Sequence, residues 1–166
     1  MAEDKGLKII LGADGYGADL KDAIKEHLVK RGNVQVEGFG KNDKYYEVAW
    51  SVACKVGAEP DRVRGVLCCG TGMGMSIIAN KHPKVFAALA ENPACAVNSR
   101  SINNSNVLAM GGIVTSTDVA IEIVDAWLNS AMTGPCPANG DSGWPDDVQE
   151  FLKNSMMEIP ALLSMG

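Results

Sequence analysis

The stretch GVLCCGTGMGMSIIANK, residues 65–81, decides how the chain is read. An apolar run ends in two cysteines, glycines follow at 70, 72 and 74, and an apolar segment of helical character begins. Strand, glycine-rich turn and helix start, in that order, are the opening of a βαβ unit. The backbone N–H groups of such a turn converge where the positive end of the helix also points, an arrangement that attracts anions. A thiol placed there has its thiolate favoured by the same field, so Cys69 is a candidate base or nucleophile beside a cradle for a developing oxyanion. The alternative is structural: Cys68 and Cys69 are small core residues ending a strand, and the glycines only turn the chain. Adjacent strand residues face opposite sides, so the structural reading fits Cys68 better than Cys69.

Working outward, strand-like and helix-like segments alternate along the chain. Strands are expected at 7–13 (LKIILGA), 34–39 (VQVEGF), 63–69 (VRGVLCC), 84–90 (KVFAALA) and 106–112 (NVLAMGG). Between them come helical patterns: one with Leu20, Ile24 and Leu28 on one face and Gly32 as its stop, then 45–58, 75–81 and 93–101. A helix with Val119, Ile123 and Trp127 at helical spacing follows Thr and Ser capping candidates, then an irregular Gly- and Pro-rich stretch, then a last helix at 146–159. This predicts a three-layer α/β architecture: one domain over 1–166, with a core at about 7–131, built on a doubly wound sheet of five parallel strands. Ligands of such sheets bind at the carboxyl ends of the strands, which selects the loops 12–17, 69–74, 91–93 and 111–116.

At 166 residues and a net charge of −5, with 46% hydrophobic and 21% charged residues, the chain reads as an ordinary globular protein that buries roughly two thirds of its unfolded surface. The acidic balance argues against a nucleic-acid footprint. No apolar stretch approaches the roughly 18 residues of a membrane span, and the mixed-charge N-terminus is no signal peptide, so a cytoplasmic protein is expected. Cys54, Cys68, Cys69, Cys95 and Cys136 have no framework spacing and read as reduced thiols.

Zinc finds no Cys-x-x-Cys pair or nearby histidine to complete a tetrahedron. The G-x-G-x-G spacing departs from the dinucleotide fingerprint at Met75, although Glu91 falls about 20 residues on, where that fingerprint has its acidic residue. His27 and His82 read as surface residues, and the methionines as packing material. Asp14, in GADGYG at the end of the first strand, either holds sugar hydroxyls or caps the next helix.

With these residues in hand, the chain resembles the ribose-5-phosphate isomerase B and galactose-6-phosphate isomerase family over roughly residues 7 to 130. The motifs are CGTGMGMSIIANK (69–81), SRSINNSNVLAMGG (99–112) and EIVDAWL (122–128). In particular, the chain looks like the isomerase-like domain of plant DNA-damage-repair/toleration proteins, through LCCGTG and PCPANG…W…FLKNS. The resemblance implies a Rossmann-like sheet and a homodimer with each site at the subunit interface. It also implies aldose–ketose isomerisation through an enediolate, with no metal or other cofactor. Carried over, Cys69 is the base, and Gly70, Thr71, Gly72 and Gly74 supply the oxyanion cradle. Asp14 and Asn103 contact sugar oxygens, with Tyr45 and Arg100 as further substrate contacts.

The chain departs from the family pattern where histidine usually follows the first-strand Asp and precedes the fourth-helix Asn; here these positions are Gly15 and Ile102. A phosphate-holding Arg after the fifth strand is replaced by Ile113, the tail has no Arg, and the Asp-Tyr-Pro stretch becomes Lys44-Tyr45-Tyr46. Lys44, Lys81 and Arg100 are the remaining candidate cations, each also readable as a solvated or structural charge. Two functions follow: an isomerase with an altered sugar substrate, or a catalytically silent dimeric module that binds a sugar or nucleotide. For the dimer, Trp127, Trp144 and Phe151 are the large apolar groups expected near the tail.

Overall fold

The structure, a computed structural model, describes residues 6–32, 35–39, 44–163 and 165. Strands β1 (Lys8–Ala13), β2 (Gln35–Phe39), β3 (Val63–Cys69), β4 (Ala87–Leu89) and β5 (Val107–Gly111) alternate with helices α1 (Ala18–Arg31), α2 (Tyr45–Ala58), α3 (Met73–Ala79), α4 (Pro93–Asn103) and α5 (Thr117–Leu128). A 3-10 turn at Pro137–Asn139 and the helix α6 (Asp146–Leu162) complete the chain. All strand pairs are parallel, in the order β2-β1-β3-β5-β4, which is a Rossmann-like α/β arrangement.

Strands buried on both faces read as continuous apolar runs, and side-chain alternation divides them between two cores. Ile9, Leu11, Val66, Cys68, Leu108 and Met110 pack on one face with Ile24 and Leu28 of α1 and Ile123 and Trp127 of α5. Ile10, Leu67, Cys69, Val107 and Ala109 pack on the other with Val48, Val52 and Val56 of α2 and Met75 of α3. The two adjacent cysteines thus belong to different layers. Between β1 and β3 the strand order reverses: α1 leaves β1 toward the first layer and α3 leaves β3 toward the second, so their loops diverge and open a crevice.

Several boundaries differ from the sequence reading. Helix α3 begins at Met73, two residues early, because Gly72 at φ 79° turns the chain directly into it. β4 shrinks to three residues. Helix α6 runs through Pro160, which lies so near its end that little helix remains to be disrupted. Neither histidine is a bare surface residue. His27 Nε2 lies 2.9 Å from both Asp125 carboxylate oxygens, joining α1 to α5, and the His82 ring packs against Gly57 and Trp50. Trp127 is fully buried and donates to Ser105 Oγ at 2.8 Å, so it is core rather than contact surface. Trp144 is half-buried, donating to Ser101 Oγ, while Phe151 is exposed. No described helix is long and apolar enough to cross a membrane.

Burial, together with the neighbouring Cys69, pushes the Cys68 thiol up to about 12. In the unfolded chain the same thiol ionises at about 8.5. Above that value the unfolded state sheds a proton that the folded state keeps, so stability falls as pH rises toward 12, by at most about 1.4 kcal/mol per unit. Urea denaturation at pH 7 and pH 10.5 is expected to show a smaller alkaline loss in Cys68→Ala than in the parent chain. Equal losses in the two proteins would contradict this.

Candidate active site

Three loops meet at the carboxyl end of the crevice, and backbone hydrogen bonds stitch them together. Asp14 N donates to Cys68 O at 3.3 Å, Gly112 N to Cys69 O at 2.7 Å and Ile113 N to Gly70 O at 3.0 Å. The strand register leads to this result, since Ala13 stands opposite Cys68 and Cys69 opposite Gly111. The start of α1 presses against the end of β3 so closely that a β-carbon at Gly17 would lie 2.0 Å from the Cys68 carbonyl oxygen.

Within this frame Cys69 is 6% exposed, and its Sγ accepts a hydrogen bond from Gly72 N at 3.1 Å. The loop 70–72 thus folds back over the sulfur, with Thr71 exposed on it. Asp14 uses Oδ1 to accept from Tyr16 N at 2.9 Å and Gly17 N at 3.1 Å. It therefore orders the turn into α1 rather than serving as the helix cap, which is Gly17. The Tyr45 ring, at the start of α2, lies against Gly74; a β-carbon there would come within 2.8 Å of it. Lys44, just outside α2, is turned toward Tyr46 and Glu47, whose side chains hold its ammonium above the ordinary lysine range.

Cys69, Gly70, Thr71, Gly72, Gly74, Asp14 and Tyr45 therefore share one end of the sheet. Asn103 and Arg100 do not. Helix α4 runs back from the carboxyl end, so Asn103 closes it beside the turn that enters the amino end of β5. There Arg100 donates to the Asn104 side chain and to Ser105 O. A strand's length separates them from Cys69, so within one chain they do not join the other seven.

The structure adds Tyr16, which the sequence reading passed over. A β-carbon at Gly70 would lie 3.2 Å from Ile113 Cδ1 and 3.7 Å from Tyr16 Cβ. Tyr16 and Ile113 are 74% and 67% exposed, so together they form an apolar lip over the glycine loop. Its position in GADGYG, inside the loop after β1, was the available signal. Among the described residues no three His, Cys, Asp or Glu side chains gather as metal ligands.

The two cysteines should differ chemically. Brief iodoacetamide treatment at pH 8 followed by peptide mass spectrometry is expected to modify Cys69 together with the exposed Cys54 and Cys95, and to leave Cys68 and Cys136 unmodified. Modification of Cys68 in preference to Cys69 would overturn the assignment.

Comparison with known proteins adds a second line. The sequence profile of a family described as Ribose/Galactose Isomerase matches residues 9–138. A DNA damage-repair/toleration protein of Arabidopsis thaliana is 46% identical over 159 residues; the match covers 95% of this chain and 51% of the plant protein, so the chain spans about half of that relative's length. Ribose-5-phosphate isomerase B of Escherichia coli is 42% identical over 131 residues, 76% of this chain and 87% of the bacterial one. Among solved structures, Mycoplasma genitalium ribose-5-phosphate isomerase B with bound ribulose-5-phosphate aligns at 30% identity with a TM-score of 0.76, over 92% of this chain and 95% of that one.

Proposed function

We propose, from the premise that this chain belongs to the ribose/galactose isomerase family, that it interconverts the aldose and ketose forms of a sugar phosphate at the loop cluster around Cys69. The observation that carries this reading is the Gly72 N–H directed at Cys69 Sγ at 3.1 Å, inside a glycine loop at the crevice where the strand order reverses. A backbone donor aimed at sulfur suits a thiolate that must accept and return a proton.

In the proposed reaction the Cys69 thiolate takes the proton from C2 of the open-chain aldose. The electron pair forms the C1–C2 double bond while negative charge develops on the carbonyl oxygen at C1. Backbone N–H groups of the loop at Gly70, Thr71, Gly72 and Gly74 stabilise that charge. The thiol exchanges its proton with solvent and delivers one to C1, a proton passes from the C2 hydroxyl to the oxygen on C1, and the ketose results. Asp14 and Tyr45 border the same crevice and would contact sugar oxygens.

The site is completed by a second copy. Asn103 and Ile102 lie at the far end of their own chain, and only another protomer brings them to the glycine loop. The exposed Met73 and Ile77 on α3, the helix that follows the loop, supply apolar surface for such a contact. Light scattering at micromolar concentration is expected to give a dimer; a monomer would remove the shared site.

The substrate should differ from that of relatives that keep both histidines and the arginines. Ring opening by a general acid–base group is typically worth about 10²–10⁴ in rate, and Ile102 can neither donate nor accept a proton. Gly15 and Ile113 offer no side-chain donor where the family has a histidine and a phosphate-holding arginine. We expect kcat/KM for ribose 5-phosphate at least about tenfold below that of a relative with those groups, improvement in Gly15→His with Ile102→His, and loss in Cys69→Ala. Shorter sugars with a larger open-chain fraction should fare relatively better. Full activity on ribose 5-phosphate in the unmodified chain would refute the account of the substitutions. No turnover of any phosphorylated or free aldose would make the chain a binding module instead.

A further inference from the structure

We propose that a cavity at the amino ends of β3, β4 and β5 binds an aromatic organic phosphate of mononucleotide size. The cavity measures about 600 Å3, inside the roughly 300–1,000 Å3 range of small-molecule sites. It lies at the end of the sheet opposite Cys69, and neither the glycine loop nor Asp14 lines it.

Its charge is the first argument. Arg64 comes from β3, Lys84 from the turn before β4, Arg100 from the last turn of α4 and Lys153 from α6. Asp61 is the one carboxylate residue lining the cavity. Four of the chain's 15 basic residues thus converge on one cavity in a protein whose net charge is −5. Convergence from four separate elements is not the solvated face of a single helix. Lys153 also borders a shallow pocket with Asp146 and Glu150.

Preorganisation is the second argument. The Arg64 guanidinium lies over the Trp127 ring, 5.5 Å from its centroid, and Trp127 is itself pinned by its bond to Ser105. Arg100 is held by Asn104 and by Ser105 O. Asn106 accepts from Phe86 N and donates to Lys84 O, both at 2.9 Å, fixing the backbone on either side of Val85. Two oriented planar guanidiniums suit phosphate oxygens better than mobile charges would.

The remaining wall names the rest of the ligand. Phe86, Met132, Met156 and Met157 line the same cavity. Thioethers and an aromatic ring form an adaptable surface for a flat apolar body. One end for an anion and one for a ring describe an aromatic phosphate rather than a bare sugar phosphate.

The test is equilibrium dialysis of the full chain against adenosine 5′-monophosphate, with adenosine and inorganic phosphate in parallel. It reads binding alone and needs no turnover, and the variants below are placed on Lys84 and Lys153, away from Cys69. Saturable binding of the nucleotide is expected, each fragment binding more weakly. Lys84→Glu with Lys153→Glu, at exposed positions where the fold is not at risk, should weaken it by about tenfold or more. No saturable binding at millimolar nucleotide would overturn the proposal. So would equal binding of adenosine and the nucleotide, or unchanged binding in the folded double variant.

Discussion

The site rests on the backbone hydrogen bonds that join the loop after β3 to the loops after β1 and β5. Gly112 N to Cys69 O, Ile113 N to Gly70 O and Asp14 N to Cys68 O fix where β3 stops and the glycine loop departs. They hold the Cys69 side chain at the end of a strand that is buried from Gly65 onward, while the chain folds back so that Gly72 N reaches its sulfur. The contact of Gly17 with the Cys68 carbonyl exists only because residue 17 has no side chain. Preorganised donors cost no rearrangement when charge appears, which is why a rigid loop can serve an enediolate.

The reversal of strand order between β1 and β3 gives this stitching its functional meaning. It sends α1 and α3 to opposite layers, and Asp14 and Cys69 border the crevice between their loops. The same topology sends the end of α4 to the other end of the sheet. One chain thus carries two chemically different ends. At the carboxyl end are the thiol, the glycines and the apolar lip of Tyr16 and Ile113. At the amino end are the cations Arg64, Lys84 and Arg100.

The strands were legible because burial on both faces leaves uninterrupted apolar runs; VRGVLCC spans the same residues in the sequence reading and in the structure. The loop cluster was legible because its residues follow strands, and strand ends of a parallel sheet share an edge. What sequence hid depends on distance in the chain. Arg100 and Asn103 belong to a motif contiguous with β5, yet the direction of α4 takes them away from Cys69. His27 sits in a polar stretch, and its partner Asp125 lies 98 residues on. Tyr16 looked like a loop residue until the closeness of Gly70 gave it a neighbour. The cationic cavity is built from four elements, none of which carries a motif of its own.

In the proposed reaction Cys69 moves a carbon-bound proton of a sugar phosphate. The most direct measurement is proton NMR of ribose 5-phosphate incubated with the protein in deuterium oxide, beside Cys69→Ala. Deuterium entering the carbon that gains a proton, C1 of ribulose 5-phosphate, with the parent chain and not with the variant, is the predicted result. Equal incorporation in both proteins, or product formed by the parent with no less conversion by the variant, would contradict it.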